Sequence, residues 1–254
     1  MTLSAFDAAF DFTGKVVMVT GGAAGIGQAM ARVFAERGAH LALVDRDPSV
    51  ETTAAGLGDA GHLGLVADVS STAALEQAMA AILARFGRID VLVNNAGIVR
   101  LAPADSLTEL DWDMTMAINL RAPFVLSQIV GREMLRQGSG RIVNLASQAG
   151  IIAIDGHLAY CASKAAIISM TKVLALEWGP RGVTVNAISP TVVETELGKK
   201  AWAGEVGEAM KRQIPTRRFA QPEEIAMAAL YLASGAAGMV NGENLVVDGG
   251  FTIQ

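Results

Sequence analysis

Tyr160 and Lys164 stand four residues apart in Tyr160-Cys161-Ala162-Ser163-Lys164, thirteen residues beyond Ser147. The apolar content of residues 157–178 and the Gly179-Pro180 stop predict a helix, which sets phenol and ammonium one turn apart on one face. A free tyrosine titrates near ~10, and a cation about 4 Å away at an effective dielectric near ~20 favours the phenolate by roughly 4 kcal/mol. That is enough to let Tyr160 act as a base close to neutral pH. The pair alone fits a solvated helix face equally well, so the surrounding elements decide between the readings.

Those elements alternate between strand and helix. Residues 15–20 form a β-branched run that ends in Gly21-Gly22-Ala23-Ala24-Gly25-Ile26-Gly27; a helix over 25–37 follows, then a strand over 41–45 ending at Asp45. A side-chain-free turn lets backbone approach a pyrophosphate while the helix N-terminus presents free N–H donors. The glycines also fit an ordinary tight turn, and Asp45, at the spacing of a ribose-binding acid, favours the dinucleotide. After a loop at 56–61, a strand over 63–67 runs into Asp68-Val69, a helix covers 72–86, and a strand over 89–94 runs into Asn95-Ala96-Gly97. Asn94 and Asn95 also suit plain turn chemistry. A long helix over 108–137, eased by Pro123, carries Asn119 in its interior, where asparagine ordinarily faces solvent or bends the helix.

A strand over 141–147 ends at Ser147, and the Tyr160 helix and a strand over 183–188 follow, before Pro190-Thr191. Residues 192–214 are mixed in polarity and hold Gly198, Gly204 and Gly207. They read as a loose connection or a lid, and the position after a strand end favours a substrate lid near 191–214. A helix over 222–233 and a strand over 244–247 complete a single domain, 1–254, of α/β class: a Rossmann-type doubly wound sheet of about seven parallel strands with helices on both faces. Every candidate residue follows a strand, and in such a sheet those ends share one rim.

Composition narrows the function classes. Hydrophobic residues are 52% of the chain and aromatics 5%, so small aliphatics pack the core. A net charge of -5 without a basic stripe argues against nucleic acid. One cysteine excludes an internal disulfide, and His40, His62 and His157 are scattered without metal-ligand spacing. No uninterrupted apolar run reaches a membrane span and no targeting segment is readable, so the expected location is cytoplasmic.

Taken together, Thr20-Gly21-x-x-x-Gly25-x-Gly27, Asn94-Asn95-Ala96-Gly97, Ser147 and Tyr160-x-x-x-Lys164 resemble the short-chain dehydrogenase/reductase family across nearly the whole chain. The resemblance implies a nicotinamide cofactor and reversible alcohol–ketone interconversion by Asn119, Ser147, Tyr160 and Lys164. It implies that Tyr160 removes the hydroxyl proton, Ser147 holds the substrate oxygen, Lys164 bonds the nicotinamide ribose and Asn119 holds a relay water. It places Gly21, Ala24, Gly25, Ile26, Gly27, Asp45, Arg46, Asp68, Val69, Asn95, Ala96, Gly97, Pro190, Val193 and Thr195 around the cofactor, with Tyr160 and Lys164. Asp45 repels a 2′-phosphate and favours NAD, whereas Arg46 could pair with that phosphate. The family's Pro-Gly pair here reads Pro190-Thr191, and a β-branched residue resists positive φ.

The runs Ser147-Gln148-Ala149-Gly150, Ala159-Tyr160-Cys161 and Ser189-Pro190-Thr191-Val192-Val193 are similar, more narrowly, to the D-threitol group of NAD-dependent polyol dehydrogenases. Gln148, His157, Glu194 and Glu196 would give a polar pocket for a polyol or ketose, with Trp202 nearby. A 3-oxoacyl-carrier-protein reductase and a non-catalytic cofactor-binding regulator stay open as alternatives. Excess apolar residues on the Tyr160 helix (Ile167, Ile168, Met170, Val173, Leu174) and the resemblance imply a homotetramer.

Overall fold

The computed structural model describes residues 4–253. Helix α1 (Ala5–Ala9) leads into β1 (Val16–Thr20), α2 (Gly25–Glu36), β2 (His40–Asp45), α3 (Ser49–Ala55), β3 (Leu63–Val66), α4 (Thr72–Phe86) and β4 (Val91–Asn94). Helix α5 (Glu109–Met116) then passes through a π turn (Ala117–Arg121) into α6 (Ala122–Gln137). Next come β5 (Gly140–Leu145), α7 (Leu158–Trp178), β6 (Val183–Pro190), α8 (Glu196–Ala201), α9 (Glu205–Gln213), α10 (Pro222–Ala233) and β7 (Asn244–Val247).

All five residues of β1 are buried, and they alternate between two cores. Val17 and Val19 pack with Met30 and Phe34 of α2 and Ile225 and Leu230 of α10. Val16 and Met18 pack with Leu75 and Ile82 of α4 and Leu126 and Val130 of α6. Continuous apolar strands of this kind are what a parallel sheet covered on both faces requires. The sheet has seven strands in the order β3-β2-β1-β4-β5-β6-β7, every pairing parallel. The order reverses between β1 and β4, so connections leave those strands in opposite directions and open a crevice at the carboxyl rim.

Three segments depart from the sequence expectation. The β2–β3 connection contains α3 as well as a loop; only Val50 and Ala54 of that helix are buried, too few to print an apolar period. Residues 192–214 hold α8 and α9 instead of irregular chain. The helix over 108–137 is broken by the π turn, where Ala122 N bonds the Ala117 carbonyl five residues back. Pro123 follows directly, in the first turn of α6.

A buried polar chain ties the site-bearing helices to the sheet. Asn94 Nδ2 donates to Ser127 Oγ of α6 at 3.2 Å and to Asn144 Oδ1 of β5 at 2.8 Å; Asn144 Nδ2 donates to Thr171 Oγ1 of α7 at 3.0 Å. Asn94 is therefore a core residue and not a turn former. The segment Leu158–Arg181 is long and apolar enough by composition to cross a bilayer, with a mean hydropathy of 1.3. Here it lies along the sheet with Ile167 and Leu174 buried, while Val173 and Leu176 remain 51% and 79% exposed.

Candidate active site

The glycine turn between β1 and α2 is held from two neighbouring strands. Gly21 N donates to Val44 O of β2 at 2.8 Å, and Asn95 Nδ2, just past β4, donates to Thr20 O at 2.9 Å and Gly21 O at 3.2 Å. Thr20 Oγ1 in turn accepts from Asn95 N at 3.0 Å and Ala96 N at 3.1 Å. Gly25 sits at φ +57°, open to glycine at no cost, and a Cβ on Gly27 would collide with the Gly21 carbonyl. Ala24 is the N-cap of α2 and makes no side-chain cap, so no side chain claims the first amides of this twelve-residue helix. Bare amides at a helix N-terminus beside a glycine cradle fit a pyrophosphate.

At the end of β2, Asp45 Oδ2 accepts from Ala23 N and Oδ1 from Asp47 N, both at 3.1 Å, which fixes the carboxylate beside the turn. Arg46 is exposed. Ser70 backbone and hydroxyl bonds hold the Asp68 carboxyl below its ordinary range, with a smaller contribution from the Arg46 charge; Ser49 and Arg46 act on Asp47 in the same way. The guanidinium thus stands among carboxylates. Val69 borders a small pocket with Thr20 and Ala96.

Along the rim lies a cleft of about 540 Å³. Ile26, Asn95 and Gly97 face it from the glycine-turn side, Ser147, Tyr160 and Lys164 from the β5–α7 side, and Pro190, Thr191 and Val193 from the end of β6. Ser147 lies two residues past β5, and its Oγ accepts from Ala149 N at 3.1 Å, capping a 3-10 turn at Gln148–Gly150. Tyr160 is half-buried at the cleft surface but crowded by protein. Burial pushes its phenol up, a hydrogen bond with Ser147 pulls it down, and Cys161 adds a smaller upward push; the net direction is up. Lys164 Nζ is buried, donates to Leu145 O at 2.6 Å and lies 5.6 Å from the Tyr160 ring centre. Burial pushes its ammonium down to about 8. The expected depression of the phenol by the lysine is therefore corrected: in the protein alone, burial raises the phenol and lowers the ammonium.

Asn119 sits in the π turn, almost fully buried. Its Oδ1 accepts from Ile98 N at 2.8 Å, and its Nδ2 donates to Ile98 O at 2.9 Å and to Ser163 Oγ at 3.3 Å. A Cβ on Gly97 would stand 3.3 Å from Asn119 Oδ1 and 3.7 Å from Lys164 Nζ, so these three residues meet at one point. Asn119 neither faces solvent nor merely bends its helix; it braces the loop after β4 against α7.

The substrate-side expectations fare differently. None of Gln148, His157 and Trp202 lines the cleft. Gln148 is buried beside Ser147, with its Oε1 unpartnered among the described residues. His157 packs edge-on to Tyr160 at 6.3 Å with its Nδ1 2.6 Å from Asp155 O, and Trp202 packs on Phe219 at 6.0 Å. Glu194 accepts from Gln221 Nε2 and Glu196 pairs with Lys199, so both acids are committed away from the cleft. Thr195 caps α8 through Gly198 N at 3.0 Å, and its Cγ2 lies 3.2 Å from where a Gly25 Cβ would be, which brings the start of the lid segment to the glycine turn. Thr191 adopts no positive φ, because among the described residues only Arg217 does so without being glycine. Thr20 entered the sequence reading only as the first residue of the glycine motif and without a role, and Ile98 and Ser163 were given none; Ile98 acts through its backbone and Ser163 through a helix contact. Among the described residues, no three His, Cys, Asp or Glu side chains cluster as metal ligands.

The family model described as enoyl-(acyl carrier protein) reductase matches residues 21–252. An NAD-dependent glycerol dehydrogenase of Listeria innocua is 52% identical, each chain covered in full. A D-threitol dehydrogenase of Mycolicibacterium smegmatis is 56% identical over 96% of each chain. Among solved structures, a candidate NAD(P)-dependent gluconate 5-dehydrogenase of Beutenbergia cavernae, with NADP at low occupancy, is 39% identical with a TM-score of 0.91, covering 97% of this chain and 100% of that one.

Proposed function

The chain belongs to the short-chain dehydrogenase/reductase family, and on that premise we propose that it oxidises a secondary hydroxyl of a short polyol, D-threitol-like, reversibly to the ketose with NAD. The observation that carries the reading is the single cleft shared by Ser147, Tyr160 and Lys164 on one side and Ile26, Asn95 and Gly97 on the other. A proton-handling group and a nucleotide cradle that meet in one cavity suit hydride exchange at an alcohol carbon.

In this reading Tyr160 takes the hydroxyl proton in oxidation and returns it in reduction, while Ser147 holds the substrate oxygen. Lys164 holds the nicotinamide ribose, Asp45 the adenosine ribose, and the α2 amides the pyrophosphate. When bound, NAD supplies the nicotinamide carbon that accepts the hydride leaving the alcohol carbon. Asn119 is a positioning residue, since its amide is spent on Ile98 and Ser163. The fixed Asp45 carboxylate and the acids around Arg46 support NAD over NADP, as does the cofactor in the name of the Listeria relative. We further propose a single domain, residues 191–214 as the substrate lid, a cytoplasmic location and a homotetramer joined through the outer apolar faces of α6 and α7.

Nicotinamide absorbance with D-threitol, glycerol and galactitol, against an acetoacetyl thioester, each with NAD and NADP, tests the reading. The expected outcome is highest kcat/KM for NAD with a short polyol. NADP at equal or better efficiency would overturn the cofactor; far better turnover of the thioester would favour the 3-oxoacyl-carrier-protein reductase alternative.

A further inference from the structure

Helix α3 lines no part of the cleft, yet it closes a ring of hydrogen bonds around Asp45. At its start, Ser49 N donates to Asp47 Oδ1 at 2.9 Å, and Asp47 N donates to Asp45 Oδ1 at 3.1 Å. Asp45 Oδ2 accepts from Ala23 N at 3.1 Å, and Ala23 O accepts from Thr53 Oγ1, one turn further along α3, at 3.1 Å. The circuit therefore runs from α3 through Asp47, Asp45 and Ala23 back to α3. The helix itself is anchored: Val50 and Ala54 are buried in the core that holds Leu41 and Leu43 of β2, and a Cβ on Gly64 of β3 would run into Val50 O and Glu51 Cα, so the strand admits α3 only where the side chain is missing. Each Asp45 oxygen spends one lone pair on the ring and keeps one. A carboxylate gripped at both oxygens cannot turn about χ2 without losing a bond.

We propose that Thr53 is a positioning residue for cofactor choice: by fastening Ala23 to α3 it holds both Asp45 oxygens in place to accept from a vicinal diol, the 2′ and 3′ hydroxyls of an adenosine ribose. This rests on the reading of Asp45 as the ribose acid and deepens it. A diol needs two acceptors at a fixed separation, and the ring supplies them before the nucleotide arrives, so no ordering of the carboxylate is left to be done on binding. The same fixity holds a charge where a 2′-phosphate would have to sit. Without the Thr53 hydroxyl the Ala23 peptide can tilt, Oδ2 loses its fixed donor, and the carboxylate is free to turn away from either nucleotide. Preference for NAD thus depends on a half-buried threonine on a helix outside the cleft.

Calorimetric titration of the substrate-free protein with NAD and with NADP tests this on wild type, T53V, T53A, T53S, D45A and the double variant D45A/T53V. T53V and T53A should each weaken NAD about tenfold, the scale of one weakened hydrogen bond to a charged group, while NADP binding holds or tightens. T53S keeps the hydroxyl and should restore NAD binding to within about twofold of wild type. In the D45A background T53V should change NAD binding by about twofold or less, because the threonine acts through the carboxylate. With D-threitol at saturating NAD, kcat should stay within about twofold in T53V, so that the effect falls on cofactor binding alone. NAD binding unmoved in both T53V and T53A would overturn the proposal, as would T53S as weak as T53A. A loss equal for NAD and NADP that persists beside D45A would also overturn it, by assigning Thr53 to the glycine turn instead of Asp45. A folded wild type that binds NADP at least as well as NAD would overturn the cofactor reading itself, whatever the Thr53 variants do.

Discussion

Lys164 is a buried ammonium with no carboxylate partner among the described residues, and its cost to the fold can be measured. Its folded value of about 8 lies below the usual 10.5. Between those two values the unfolded chain keeps a proton that the folded chain has released, so stability rises with pH through that window, and below it the full cost of burying the charge applies. Lys164→Met should therefore stabilise the protein by about 1–3 kcal/mol at pH 7, the lost Leu145 bond offsetting part of the gain, while turnover and NAD binding collapse. Urea unfolding of both proteins at pH 7 and pH 10 checks this, and the advantage should shrink at the higher pH. Tyr160→Phe removes only the ionisable oxygen and should lower kcat by at least ~10²-fold, with NAD affinity little changed. Because burial raises the phenol in the free protein, kcat/KM for oxidation should keep climbing on the alkaline side of neutrality, where the phenolate becomes populated. A profile flat from pH 6 upward would contradict that direction.

Among the elements, the π turn at Ala117–Arg121 does most to aim the site. The extra residue in the turn points Asn119 at Ile98, and the amide grips both backbone groups of that residue. Asn119→Ala should cost about 1–3 kcal/mol by leaving those groups unpaired, and should lower kcat through the displaced loop that carries Gly97. The shift of the urea midpoint and kcat measured on the same preparation test this; a variant as stable and as active as wild type would refute the brace. In sequence, Asn119 was legible as unusual but not as buried, because its burial comes from the loop after β4 and from α7 packing against it. The glycine turn was legible because its constraint is local: positive φ at Gly25 and close approach at Gly27 act within a few residues.

For the whole molecule, α7 is the element that the monomer leaves unfinished. Of the five apolar residues singled out on it, Ile167 and Leu174 are buried and Ile168 and Met170 lean on the core, so only Val173 faces outward; Leu176, which was not singled out, is 79% exposed. Phe124 of α6 is also exposed. An apolar strip on the outside of two helices fits burial against another copy of the chain. Light scattering should return a mass near four times 26.4 kDa. Leu176→Glu should reduce that mass without abolishing the folded circular-dichroism spectrum, because its side chain supports no intramolecular core. A wild-type monomer at micromolar concentration would remove the assembly from the account.

By itself the sequence determined the alternation of strand and helix, the single parallel sheet and the rim on which the candidate residues lie, since each follows from period, punctuation and order along the chain. Tertiary structure alone decided what those residues meet. Whether the Tyr160 phenol is pulled down by Lys164 or pushed up by burial depends on how much protein surrounds both, which a spacing of four does not encode. Glu194, Glu196, His157 and Trp202 looked like pocket residues by proximity in sequence and turned instead to Gln221, Lys199, Asp155 and Phe219, because side-chain direction is set by packing between distant segments. Thr191 looked like a defect in a glycine position. The chain past β6 instead holds it in ordinary backbone geometry, with its N–H on Val247 O of β7 and its side chain bordering the cleft.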